Sequence, residues 1–186
     1  MEKDIEKVII REIEIRERVE ELARRITADY EDKKLTIIGI LNGSLIFLSD
    51  LIRLIPFTIK IDTIRVNTYV GDATCPERGA EIIDTPRLNI RCEHVLVVDD
   101  ILDTGNTLAK ILPMIKKHDP LSVKVCVLLN KRERREVNII PDYCCFDIDN
   151  QFVVGYGLDF DNKYRNLPYI AVLRNSQVAE RDLRCC

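Results

Sequence analysis

The stretch Val95-Leu96-Val97-Val98-Asp99-Asp100-Ile101-Leu102-Asp103-Thr104-Gly105-Asn106-Thr107-Leu108 decides how this chain folds. Four apolar residues run straight into two aspartates, a third aspartate precedes Thr-Gly, and the helical pattern "TGNTLAKILPMIKKH" follows. A short apolar run bounded by polar residues reads as a strand buried on both faces. Strand, polar loop and helix in succession read as one repeat of an alternating β/α chain, with the loop at the carboxyl end of the strand.

The same unit recurs outward from there. "LTIIGI" (35–40) reads as a buried strand, "NGS" as a tight turn, and Ser44 to Ile55 as a helix that Pro56 stops. "FTIKIDTIRVNTY" (57–69) reads as a strand with Phe57, Ile59 and Ile61 on its buried face, and "SVKVCVLL" as another buried strand. Upstream, Ile15, Val19, Leu22, Ala23 and Ile26 recur at spacings of three and four, as on one face of a helix. Pro113 removes a backbone donor inside the second helix of the sheet region and predicts a kink. "VGDATCPERGA" predicts a flap over about 67–82, and the final third, from about 141, predicts short strands forming a small lobe beside the sheet. The expected fold is α/β, a single domain over 1–186 with a central, mostly parallel sheet flanked by helices.

Composition narrows the function. The 186 residues carry 28 Lys and Arg against 31 Asp and Glu, a net charge of −3, so nothing draws the chain as a whole to nucleic acid or an anionic membrane. No apolar run is long enough to span a bilayer, and "MEKDIEK" lacks the apolar stretch of a signal peptide, so a cytoplasmic protein is expected. Seven cysteines without a Cys-x-x-Cys pair read as reduced thiols, with Cys126, Cys144 and Cys145 as small buried hydrophobes.

The chemistry gathers around the opening stretch. Asp99, Asp100 and Asp103 follow a buried strand at the edge where parallel sheets bind ligands, and Thr104-Gly105-Asn106-Thr107 opens a helix whose free N–H groups suit a phosphate. Two adjacent carboxylates beside such a cradle suit a ligand with hydroxyls and a phosphate, which a phosphorylated sugar offers. The structural alternative is that Asp103 or Thr104 caps the helix and Asp99-Asp100 is a solvated turn. Neither a Walker loop nor a Gly-x-Gly-x-x-Gly motif is present.

"VLVVDDILDTGNTL" resembles the phosphoribosyl-pyrophosphate signature of the phosphoribosyltransferases. "GILNGSLIFLSDLI", "LLNKRERR" and "FVVGYGLDFDNKYRNLPYIAVL" are similar to segments of the hypoxanthine(-guanine) enzymes of that family, in the same order, so that the resemblance covers roughly Val8 to Leu173. It implies the type I phosphoribosyltransferase fold with a hood lobe made of about 141–186 plus the N-terminal segment. It also implies transfer of ribose 5-phosphate from phosphoribosyl pyrophosphate to N9 of hypoxanthine and guanine, with Mg²⁺ required.

The implied roles fall on particular residues. Asp99 and Asp100 would hold the ribose hydroxyls, and Asp103, Thr104, Gly105, Asn106 and Thr107 would surround the 5′-phosphate, with Asp103 also the base near purine N7. Leu41, Asn42 and Gly43 would bind pyrophosphate through their backbone, with a cis peptide at Leu41-Asn42, and Arg165 would join them. Asn42 stands where the family often has lysine. Lys131 would contact the 6-oxo group, Phe152 would stack on the base, Val153 would meet its edge, and Asp159 would lie near base and metal. Thr68 and Tyr69 would open the flap in place of the usual Ser-Tyr. Mg²⁺ would arrive with substrate, held through Asp159, Asp99, Asp100 and water.

Taken without the resemblance, Lys131 to Arg135 is a solvated charge run, a reading kept for Arg132, Arg134 and Arg135, and Phe152 and Val153 are strand core. Two other functions compete: a nucleotide-sensing RNA binder, which the balanced charge does not favour, and an enzyme for adenine or orotate, which "LLNK" and "FVVGYGLD" oppose. The expected partners are the purine base, phosphoribosyl pyrophosphate and further copies of the chain in a homodimer or homotetramer. Neither nucleic acid nor membrane is expected.

Overall fold

The computed structural model describes residues 2–68, 80–82 and 86–174. In chain order the elements are β1 (Ile5–Ile10), α1 (Glu12–Tyr30), β2 (Leu35–Leu41), α2 (Leu45–Arg53), β3 (Lys60–Thr68), β4 (Ala80–Ile82), β5 (His94–Leu102), α3 (Asn106–Lys116), β6 (Ser122–Asn130), β7 (Tyr143–Asp147), β8 (Val153–Val154) and β9 (Ile170–Leu173). Six strands form the main sheet in the order β4-β3-β2-β5-β6-β7. All neighbours in it are parallel except β3 and β4, which form an antiparallel hairpin.

Period-two alternation in β5 explains why both faces are covered. Leu96 and Val98 point into a cluster with Ile15, Leu22 and Ile26 of α1 and Phe47 and Leu51 of α2. Val95 and Val97 point the other way, against Leu108, Ile111 and Ile115 of α3. Between His94 at its start and Asp99, β5 is wholly apolar, as a strand covered on both faces requires.

From β2 the chain moves to β3 on one side, and β5 then inserts on the other, so the strand order reverses between β2 and β5. Ligand crevices in open α/β sheets form at such a point, outside the carboxyl ends of the strands. The loops that meet there are Leu41–Ser44 after β2 and Asp103–Gly105 after β5.

A separate three-stranded antiparallel sheet, β1-β9-β8, forms the second lobe. The N-terminal segment therefore contributes a strand to it, through pairs such as Ile5 with Leu173. β7, by contrast, extends the main sheet beside β6, so the lobe begins after Asp147 and not at about 141. β3 begins only at Lys60; Ile61 is 44% exposed, and the buried residue of the strand is Ile64. α2 ends at Arg53, short of Ile55, and α3 continues past Pro113 to Lys116. Cys126 and Cys145 are buried free thiols, as expected, while Cys144 is half-buried. Of the flap expected over about 67–82, the described residues are Asn67, Thr68 and 80–82, which pair in the β3–β4 hairpin; Tyr69 and 70–79 lie outside the described residues.

Candidate active site

The turn after β2 and the aspartates of β5 meet directly. The peptide bond Leu41-Asn42 is cis, as the family resemblance implies. Ser44 is fully buried, and its hydroxyl donates to the carbonyl of Ile40 at 2.5 Å, which folds the turn back on its own strand. At Gly43 a Cβ would lie 1.8 Å from Oδ2 of Asp100, so only glycine leaves the Asp100 carboxylate its place.

Asp99 is buried, and its Oδ1 accepts the Asp100 backbone N–H at 3.0 Å. Burial is the main force that pushes the Asp99 carboxyl well above the usual carboxylate range, and the neighbouring Asp100 charge adds to it. Burial also raises the Asp100 carboxyl, opposed by hydrogen bonds from Asp99 and the Ile101 backbone and by the positive charge of Arg165. The pair is short of donors: hydroxyl groups or a cation would relieve both carboxylates.

Past Asp100 the strand ends and α3 begins at Asn106, with Gly105 as N-cap, two residues later than the Thr-Gly pattern indicates. Neither Asp103 nor Gly105 provides a side-chain cap, although Thr104 Oγ1 accepts the Asn106 N–H at 3.3 Å. The first turn of the helix leaves N–H groups open toward the crevice side of the loop.

Asp103 Oδ1 is buried without a hydrogen-bond partner, while Oδ2 forms an ion pair with Arg134 Nη1 at 3.2 Å. Lys131 follows β6, its backbone N–H bound to the Leu102 carbonyl at 3.0 Å, and it is only 5% exposed. Burial lowers the Lys131 ammonium below the ordinary lysine range, opposed by Asp103 and assisted by Arg134. Among the described residues no side chain hydrogen-bonds that ammonium. A buried, unpartnered carboxylate oxygen and a lysine whose ammonium no described side chain bonds therefore stand after adjacent strands.

The second lobe supplies the remaining residues. Arg165 donates to the Gly157 carbonyl at 2.7 Å and pairs with Asp159 at 2.7 Å, and Asp159 also accepts the Asn162 N–H at 2.8 Å. Gly157, at φ +102°, lies so close to the β2 turn that a Cβ there would come within 2.1 Å of the Gly43 carbonyl. The Tyr156 hydroxyl donates to Asp50 of α2 at 2.6 Å, a second tie between lobe and sheet. Val153 is buried in β8, whereas Phe152 is not strand core: it is 44% exposed and meets Phe160 edge-on at 5.5 Å. Thr68 ends β3. A groove of about 590 Å³ bordered by α1, α2 and residues 165–168 touches Arg165, but none of the three aspartates of the β5 stretch lines it.

The charge run 131–135 is not uniformly solvated. Arg132 pairs with Asp147 on the surface, but Arg134 engages Asp103, and Arg135 turns inward to main-chain carbonyls. Spacing could not separate these three, because alternate residues of an irregular loop have no fixed facing. Gly157 was equally hidden, since only the approach of a distant turn makes it necessary.

A carboxylate pair, a helix-opening loop and the turn after β2 meet at one switch point, a set of groups whose chemistry suits a phosphorylated sugar. The phosphoribosyl transferase domain model matches residues 10–161, and the chain belongs to that family of enzymes. It is 43% identical over 174 residues to the hypoxanthine-guanine phosphoribosyltransferase of Streptococcus pneumoniae, with 94% of this chain and 96% of the relative covered. The solved hypoxanthine phosphoribosyltransferase of Staphylococcus aureus superimposes with a TM-score of 0.89 at 38% identity, covering 95% of this chain and 96% of that one. That of Trypanosoma cruzi does so with a TM-score of 0.89 at 37% identity, covering 97% of each. The α/β fold expected from the sequence is the fold of these enzymes.

Proposed function

We propose that the chain salvages purines, transferring the 5-phosphoribosyl group from phosphoribosyl pyrophosphate to N9 of hypoxanthine and of guanine. The observation that carries the choice of base is the buried Lys131 ammonium beside the half-unpartnered carboxylate of Asp103. An ammonium only donates, so it matches the 6-oxo group and opposes the amino group of adenine, while the carboxylate accepts the proton of the neighbouring ring nitrogen.

In the reaction the C1′–oxygen bond to pyrophosphate breaks and a C1′–N9 bond forms. The purine gives up one proton, which Asp103 takes or shares as the anomeric carbon develops positive charge. Asp99 and Asp100 accept hydrogen bonds from the ribose hydroxyls, which relieves their burial. The backbone of Asp103–Thr107 cradles the 5′-phosphate, and Leu41, Asn42, Gly43 and Arg165 bind the departing pyrophosphate. Phe152, exposed at its place before β8, offers a face to the purine, and Val153 its backbone. Thr68 and Tyr69 begin a flap whose closure excludes water from the reacting centre.

The carboxylates fit Mg²⁺. Asp99, Asp100 and Asp159 offer hard oxygen atoms, and the raised Asp99 and Asp100 carboxyls favour a cation beside them. No cluster of three or more potential ligands that could hold a metal occurs among the described residues; Asp99, Asp100 and Asp159 would hold the ion together with oxygens of the substrate and water. When bound, the ion offsets the charge of the pyrophosphate.

The four described cysteines are free, which supports a cytoplasmic enzyme, and no helix among the described residues is long and apolar enough to cross a membrane. A homodimer or homotetramer is the expected assembly; in the Trypanosoma cruzi relative, oligomeric state and activity have been studied together.

One assay tests the proposal: purified protein, phosphoribosyl pyrophosphate and Mg²⁺ with hypoxanthine, guanine, xanthine or adenine in turn. Nucleotide is expected from the first two, and none from any base would refute it. Asp103→Asn should lower turnover far more than donor affinity.

A further inference from the structure

Arg135 sits outside every role assigned so far, yet it makes more hydrogen bonds than any other side chain around the site. Its Nε donates to the carbonyl of Asp103 at 2.9 Å. Its Nη2 reaches the carbonyls of Leu102 and Lys131, both at 3.1 Å, and Oδ1 of Asn130 at 2.6 Å. Its Nη1 donates to the carbonyl of Ile139. Burial pulls the guanidinium below its ordinary range, and the Asp103 charge is the main influence opposing that.

Such a pattern is unusual for a cation in a charge run. A guanidinium has five N–H groups in a rigid plane, and here they are directed at two loops that belong to different strands. The Leu102 and Asp103 carbonyls lie at the end of β5; those of Lys131 and Ile139 flank the loop after β6. The backbone reinforces the link: Lys131 N–H donates to Leu102, and Glu136 and Val137 both donate to the Thr104 carbonyl, at 2.9 and 3.2 Å. Asn130, which Arg135 also holds, donates in turn to Asp147 at 2.6 Å.

The decisive point is which carbonyls are involved. Arg135 binds the main chain of Asp103 and the main chain of Lys131, the residues that the proposed function places on the ring nitrogen and the 6-oxo group of one purine edge. We infer that Arg135 is a positioning residue that sets Asp103 and Lys131 at a fixed separation, and so determines how strictly the enzyme demands a 6-oxopurine. The inference rests on the proposed roles of those two residues. Arg135 touches neither base nor donor; it acts through the two groups that do. A pair of polar groups matched to two adjacent atoms discriminates only while their spacing holds, because a misplaced partner leaves the other unsatisfied.

The test uses the full chain with Arg135→Ala and Arg135→Lys. The readouts are kcat/KM for hypoxanthine, the hypoxanthine-to-adenine preference and KM for phosphoribosyl pyrophosphate. Arg135→Ala is expected to lower kcat/KM for hypoxanthine about 100-fold, the effect of a displacement near 1 Å in a reacting pair, and to narrow the base preference about 10-fold. KM for the donor should change less than kcat/KM for hypoxanthine does, because Asn106 and Thr107 of the phosphate cradle are held in α3, whose main chain Arg135 does not bond. Ethylguanidinium should restore the preference in Arg135→Ala and ethylammonium should not, since only the former has the planar set of donors. Should Arg135→Ala fail to fold, Arg135→Lys carries the test: it keeps the charge, loses the fork and should show the same narrowing.

Unchanged base preference in a folded Arg135→Ala or Arg135→Lys would overturn the inference, as would equal rescue by both additives. Lys131→Ala separates this from failure of the underlying reading. If it abolishes the preference while the Arg135 variants retain it, only the positioning role is wrong. If Lys131→Ala itself leaves the preference intact, the reading of Lys131 falls and the inference with it.

Discussion

Gly43→Ala puts the contact between the β2 turn and Asp100 under direct strain. The added Cβ would lie 1.8 Å from Asp100 Oδ2 and 2.4 Å from its Cγ. Carbon–oxygen contacts normally stop near about 3.3 Å, so roughly 1.5 Å of overlap must be relieved. Asp100 has little freedom to turn away, because its Oδ1 accepts the Ile101 N–H at 2.9 Å and its backbone N–H is tied to Asp99. The turn is no freer, with Ser44 fixed to Ile40 behind it and Gly157 against the Gly43 carbonyl. Either the carboxylate or the turn must shift by about 1 Å, which in a reacting geometry costs around 100-fold in kcat/KM, about 2.7 kcal/mol. Initial rates with varied phosphoribosyl pyrophosphate measure this, and circular dichroism confirms that the variant is folded. The sharper test is a double-mutant cycle with Asp100→Ala, which removes the atoms that clash. Gly43→Ala should then cost almost nothing beyond the loss due to Asp100→Ala alone. Activity within about 3-fold of wild type for Gly43→Ala, or a full additional loss in the Asp100→Ala background, would refute the steric argument.

Three further perturbations follow from the same site. The Asp99 carboxyl is raised in the folded state, so the folded protein holds protons that the unfolded chain has released, and stability must fall as pH rises above the ordinary carboxylate range. Asp99→Asn should flatten that decline and raise the melting temperature of the ligand-free protein near neutral pH; identical slopes in melts from about pH 4.5 to 8 would contradict this. Gly157→Ala, forced against the Gly43 carbonyl at a positive φ, should lose about 2 kcal/mol or more in urea unfolding. Arg134→Gln should leave the melting temperature within about 2 °C, since an ion pair whose arginine is 52% exposed adds little, and a much larger drop would show the pair to be structural.

What could be read from sequence divides by range. β2, β5 and β6 are apolar runs bounded by polar loops, and α1 carries its buried face at regular spacing, so each announces itself within a few residues. The aspartates at the end of β5 are legible for the same reason: the apolar run stops at Val98, where the strand reaches the crevice. β7 was assigned to the wrong lobe because nothing within "YCCFD" says that its partner is β6. Ile61 was assigned inward because alternation fixes which residues share a face but not which face is buried. Lys131, Phe152 and Asp159 have no local signature, and only resemblance to relatives drew them together. Arg135 escaped even that, since its importance lies in five acceptors contributed by two separate loops.

The pairing of β1 with β9 also has a consequence for synthesis. Residues 35–147 contain every strand of the five-stranded parallel sheet in one continuous segment, so that sheet's contacts become available progressively as the chain emerges. Those of the three-stranded second lobe cannot: Ile5 must wait for Leu173 and Val8 for Ala171. Contacts so distant along the chain carry the largest loop-closure entropy and form late. A ribosome-bound chain short of β9 would thus present the carboxylates of β5 and the loop after them without the β1-β9-β8 sheet, and the lobe to which the proposed function assigns the base contacts would arrive only with β9.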